Sequence, residues 1–158
     1  MTIFAAVNST SYKIVLLFHI LAVVIAFAPA WLTPILFRVA GPTDKNAADT
    51  LGLAVLRLSL PFVAIAGILG FGLSGMSKDP GASEATFKMS QTWLSVAIVL
   101  WLVQLAVLFF VARPGFKALA AGNAAARGRV MAATGVTHLI LVVMLYLMIF
   151  KPGGPAGL

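Results

Sequence analysis

The chain contains no cysteine, which excludes disulfides, thiolate metal sites and thiol nucleophiles together. Charge is nearly as scarce: Asp, Glu, Lys and Arg make up 9% of the residues, against about 25% in an ordinary soluble domain. The four acids, Asp44, Asp49, Asp79 and Glu84, all fall between the apolar runs described below. A proton- or cation-coupled mechanism therefore lacks its usual carboxylate inside the membrane. With two histidines and no thiol, a closed four-ligand metal site is not expected. No Ser/His/Asp arrangement finds support either.

What is present is apolar. Hydrophobic residues reach 61% and the mean hydropathy is +1.07, so the expected solvent is lipid. Four runs stand out, Lys13–Phe37, Leu51–Met76, Thr92–Val111 and Val130–Phe150. Each has at least the ~18–20 residues a helix needs to cross about 30 Å of hydrocarbon. None alternates apolar and polar residues as a barrel strand does. The sequence predicts an all-α polytopic membrane protein, a four-transmembrane-helix bundle forming one integral membrane domain over residues 1–158.

The first run has one feature of a secretory signal, since Ile14–Ile25 precedes the A-x-A pattern Ala26-Phe27-Ala28. However, no basic residue precedes Lys13, and apolar residues continue through Trp31, Leu32, Ile35 and Phe37. True signal cores stop after about 7–15 residues, so a retained span is expected.

The formal net charge is +7, and the basic residues flank the apolar runs. That distribution points to orientation signals and anionic lipid headgroups rather than nucleic acid. Arg38, Lys45, Arg57, Arg113, Lys117, Arg127 and Arg129 gather on the side of the first and third connections, with Lys13, Lys78, Lys88 and Lys151 opposite. The positive-inside rule then places both termini outside and the more basic side in the cytoplasm. Tyr12, Trp93 and Tyr146 are expected at the outer interface as an aromatic belt. Gly41-Pro42 and Asp79-Pro80-Gly81 signal turns, and Ala118–Arg129 reads either as a short interfacial helix or as a solvated loop.

Small residues supply the packing logic, because lipid gives little hydrophobic drive between helices. Ala22, Ala26 and Ala30 form one stripe and Ala66, Gly70 and Ser74 another, so the first two helices should be neighbours. Pro29, Pro34 and Pro61 predict kinks, and the carbonyl of Arg57, four residues before Pro61, should need another partner. Gly70-Phe71-Gly72-Leu73-Ser74-Gly75 matches G-x-G-x-x-G, but it closes a membrane helix where the nucleotide fingerprint needs a strand before it. It reads as packing glycine.

Polar groups within the spans are the functional leads. His19 shares a face with the alanine stripe, and His138 lies beside Thr134 and Gly135. Both suit haem ligation, since neutral imidazole is a haem ligand, and both suit plain hydrogen bonding. At 1.5 Å per residue their depths differ by roughly 9 Å, so one shared haem is not expected. Gln104 lies near the depth of His138, and a structural pair between them is anticipated. Arg57 enters the second span from the basic side. It can snorkel outward near Asp44 or Asp49, or serve as an anion or propionate contact.

Leu16-Leu17-Phe18-His19-Ile20-Leu21 resembles the L-H-I-L opening span of small bacterial four-helix predicted integral membrane proteins of unknown function. Leu147-Met148-Ile149-Phe150-Lys151-Pro152 is similar to the M-x-F-K-P close of that family. More distant resemblance extends to the CopD copper-resistance and HemJ protoporphyrinogen oxidase groups. The HemJ likeness implies a haem role for His19. The CopD likeness implies copper, for which the dispersed methionines form no cluster. The resemblance also implies a bacterial inner membrane.

Three functions follow as expectations. The first is a non-catalytic accessory or scaffold subunit, partnered by other membrane subunits or by copies of itself. The second is a haem- or porphyrin-binding redox protein using His19 and His138. The third is a small-solute carrier with a cavity beneath Pro29 and Pro61.

Overall fold

The computed structural model describes residues 9–78 and 85–154. Four helices, each long and apolar enough to cross a membrane, account for most of them: α1 Thr10–Ala40, α2 Lys45–Gly75, α3 Thr92–Ala120 and α4 Ala126–Phe150. The protein is an all-helical, multi-pass membrane bundle. Asp79, Glu84 and Pro80-Gly81 lie outside the described residues.

The helices outrun the apolar runs that predict them. At the basic end α1 continues to Ala40, α2 begins at Lys45, α3 reaches Ala120 and α4 starts at Ala126. The expected loop or interfacial helix at Ala118–Arg129 is therefore the end of α3, a tight turn, and the first turn of α4. Two glycines make these connections short. Gly41 (φ 107°) and Gly122 (φ 93°) take left-handed conformations that cost a side-chain-bearing residue energy. Asp44 caps α2, its carboxylate accepting the Ala47 N–H at 2.7 Å. Asp49 lies inside α2 on its exposed face rather than in a loop.

Each helix packs against two others in the ring α1–α2–α3–α4, the order short connections favour in an up-down bundle. The expected closeness of α1 and α2 holds. Ala22, Ala26, Ala66 and Ser74 are buried, while Ala30 and Gly70 are partly so. The extended basic ends continue the core of the spans: Leu51, Phe116, Leu119 and Val130 are at most 2% exposed and cluster with Ala26, Val63 and Leu141.

At the opposite end Tyr12 and Trp93 are buried against Leu73, Phe87 and Leu147. They are plugs of the bundle rather than the lipid-facing belt expected of them; Tyr146, 52% exposed, does face outward. Ser74 and Ser77 tie down the connection after α2. The Ser74 hydroxyl donates to the Phe87 carbonyl at 2.6 Å, and the Phe87 N–H donates to Ser77 Oγ at 2.9 Å.

Both middle helices contain a π-turn, Val55–Ser59 in α2 and Val107–Ala112 in α3. Each is followed two residues later by proline, Pro61 and Pro114. The core pattern explains why. Leu51, Val55, Ser59 and Val63 are all buried, as are Gln104, Leu108, Ala112 and Phe116, both sets spaced by four. On an α-helix a step of four overshoots a turn by about 40°, so three steps drift about 120° off the core. One π-turn, which adds a residue to a turn, returns the stripe to the core. It also widens the backbone where the Pro61 ring would press on the Arg57 carbonyl. α1 runs through Pro29 and Pro34 as continuous helix, with the Thr33 hydroxyl donating to the Pro29 carbonyl at 2.8 Å.

Candidate functional site

The polar side chains of the spans form a ladder of contacts across helix interfaces. Nearest the less basic end is His19 on α1. Its Nδ1 lies 2.8 Å from the Ala66 carbonyl oxygen of α2. A carbonyl only accepts, so Nδ1 carries the proton and the lone pair of the neutral ring sits on Nε2. The ring rests over Gly70, where an added Cβ would meet His19 Cε1 at 3.4 Å. The structure thus brings together three residues singled out from sequence, His19, Ala66 and Gly70.

The next rung was not foreseen. Trp101 of α3 donates its indole N–H to the Val63 carbonyl of α2 at 2.8 Å. Its ring lies directly on Gly67, so closely that any Cβ there would overlap the indole. Phe71 meets the same ring edge-on at 5.8 Å. The signal for this contact was present as the extra glycine, Gly67, beside the Ala66–Gly70 stripe.

Gln104 and His138 do not pair. Gln104, 1% exposed, donates from Nε2 to Thr137 Oγ1 at 3.1 Å. His138 Nδ1 instead donates to the Thr134 carbonyl of its own helix at 2.9 Å, and its ring meets Trp31 of α1 edge-on at 4.6 Å. The reason is angular. Successive helical residues point about 100° apart, so with Thr137 aimed at the bundle axis, where Gln104 waits, His138 is turned towards α1.

Below this rung all four helices border a small, partly open cavity of about 10 Å³. Thr33 of α1, Ser59 of α2 and Thr134 and Thr137 of α4 supply its polar wall, and the π-turn residues Val55 and Leu108 supply apolar wall. Gln104 Oε1 is buried and finds no donor among the described residues. In this setting Thr137→Val should cost about 1–3 kcal/mol, because it strips the buried amide of its remaining partner. Gln104→Leu should change stability by less than about 1 kcal/mol, since it removes the unpaired oxygen. Thr137 can then turn back on its own helix as Thr134 does to the Val130 carbonyl at 2.9 Å. Thermal unfolding of the two variants in detergent checks the order, and equal losses would mean the amide is bonded elsewhere.

The two histidines do not converge. Followed through the contacts His19–Ala66, Trp101–Val63 and Gln104–Thr137, the two lie about six residues apart in depth, or roughly 9 Å, as expected. Two axial ligands of one iron cannot be so far apart. Each imidazole is nonetheless held by Nδ1 on a helix carbonyl, the arrangement that fixes the tautomer of a ligating histidine. Among the described residues no group of three or more His, Asp or Glu side chains could hold a metal ion. Arg57 is exposed, consistent with snorkelling. Neither Asp44, occupied as a helix cap, nor Asp49 forms the anticipated pair with it.

The chain matches no known family model, no curated protein and no solved structure.

Proposed function

We propose that this chain is a non-catalytic accessory or scaffold subunit of a larger assembly in a bacterial inner membrane, with both termini outside. The observation that carries the reading is the state of the interior. His19, Trp101 and Gln104 are hydrogen-bonded to neighbouring helices, and Thr33, Thr134 and His138 to carbonyls of their own. The partly open cavity at the centre has room for about one water. A solute carrier finds no support in such an interior.

Purification in mild detergent after crosslinking in intact membranes tests the reading. The expected product is a species well above the 16.6 kDa of the chain, containing defined membrane partners or further copies. A lone monomer that turns over a small molecule would overturn it.

A second reading, haem or porphyrin binding, is favoured by one observation, the Nδ1-anchored imidazole of His19 with Nε2 left as acceptor. When bound, haem would supply redox chemistry; His19 would position the iron and Ala66 would orient His19. His138 would require a second, separate site. An oxidised-minus-reduced visible spectrum of protein from cofactor-replete cells decides this. Stoichiometric Soret and α-bands that disappear in His19→Ala support it, whereas a featureless spectrum, or full pigment in His19→Ala, removes His19 as a ligand.

A further inference from the structure

We propose that the groove between α2 and α3 holds one anionic phospholipid, its phosphate between Arg57 and Arg113 and an acyl chain in the groove. The inference goes beyond the subunit reading and stands whether or not the chain has protein partners.

The groove has a volume of about 360 Å³ and is lined wholly by apolar residues, Leu60, Leu102, Leu105, Ala106, Phe109 and Phe110. It opens sideways, on the face a membrane would cover: Leu102 is 53% and Phe110 71% exposed. Its basic end is marked by two arginines. Arg57 belongs to the π-turn of α2 and lies one turn beyond Leu60. Arg113 directly follows the π-turn of α3, its guanidinium 5.4 Å from the centre of the Phe109 ring. The two π-turns touch each other, which brings the basic positions to the same end of the groove. Both arginines are exposed, and neither forms an ion pair among the described residues.

The distribution of charge selects the occupant. Cations lie at one end only and the rest of the groove is apolar, so the complementary molecule has one anionic head and a hydrocarbon tail. Guanidinium groups suit phosphate because their paired N–H donors match its oxygens. A basic pocket between membrane helices, near the headgroup level, is the form such lipid sites take. A partner helix would need small residues for close approach, and among the lining residues only Ala106 is small.

Native mass spectrometry of the intact protein, with phosphatidylglycerol or phosphatidylcholine added in mild detergent, tests the proposal. The wild type should retain one phosphatidylglycerol about 30-fold more tightly than phosphatidylcholine, each arginine contributing roughly fivefold. Arg57→Gln with Arg113→Gln should abolish the preference. Lys117→Gln with Arg127→Gln, at the same end but outside the groove lining, should leave it intact. Equal retention of the two lipids by the wild type overturns the site, a result that does not depend on any variant folding. Equal loss in both double variants also overturns it, by reducing the effect to general surface charge. So does loss of a protein partner from Arg57→Gln/Arg113→Gln without change in lipid preference, which would assign the groove to a helix.

Discussion

Gly67→Ala should destabilise the bundle by roughly 2–4 kcal/mol, about 1–3 from overpacking and about 1 from a lost hydrogen bond. The new methyl group would occupy the space of the Trp101 indole, which lies on the bare backbone of Gly67. Trp101 must then leave, and with it go the bond to the Val63 carbonyl and the edge contact with Phe71. The same substitution at Gly135 should have the opposite sign. A Cβ there meets nothing within 4 Å, so the gain in helix propensity is expected to stabilise by up to about 1 kcal/mol. Thermal unfolding in detergent, followed by tryptophan fluorescence, measures both. Pairing Gly67→Ala with Trp101→Leu should recover part of the loss, since the two residues share one contact. If Gly67→Ala unfolds with the wild type, the indole is not seated where the geometry puts it.

The second large effect is expected at the basic end. Leu119→Ala should cost about 2–5 kcal/mol, the range for an aliphatic side chain deleted from a filled core. Leu119 is 0% exposed and packs with Leu51, Phe116 and Val130. Leu139 offers the control, being 64% exposed on α4, and Leu139→Ala should leave stability within about 0.5 kcal/mol. The comparison decides whether the helix ends beyond the apolar runs fold together with the spans. Equal, small effects at both leucines would make these ends a loosely held appendage.

Hydropathy alone revealed the four helices, since runs so long and so apolar have few other solutions. Their ends were hidden for a related reason. Polar and charged residues such as Lys45, Asp49, Lys117 and Arg127 lower the local hydropathy while Leu51, Leu119 and Val130 keep the backbone helical through tertiary packing. The stripe Ala22–Ala26 against Ala66–Gly70 was legible because small residues at a spacing of four have one evident use in lipid. The Gln104 contact was missed by a single position, because depth can be counted along a sequence but azimuth cannot. Tyr12 and Trp93 were misplaced because an aromatic near a span end suits either a lipid interface or a bundle plug, and only the neighbouring helices decide. The π-turns were legible in principle, in two runs of four core residues that no straight helix could keep facing inward.

Those turns also bear on how such a chain can change its length. Leu51 to Val63 covers three steps of four residues, whereas an ordinary α-helix makes three turns in about eleven. Removing one residue between Val55 and Ser59, together with Pro61→Ala, would leave a regular helix whose two halves still present the same sides to their neighbours. Removing a residue elsewhere in α2 would rotate everything beyond it by about 100°. The π-turn therefore acts as a stored insertion, and it is the point in α2 where a deletion does least harm.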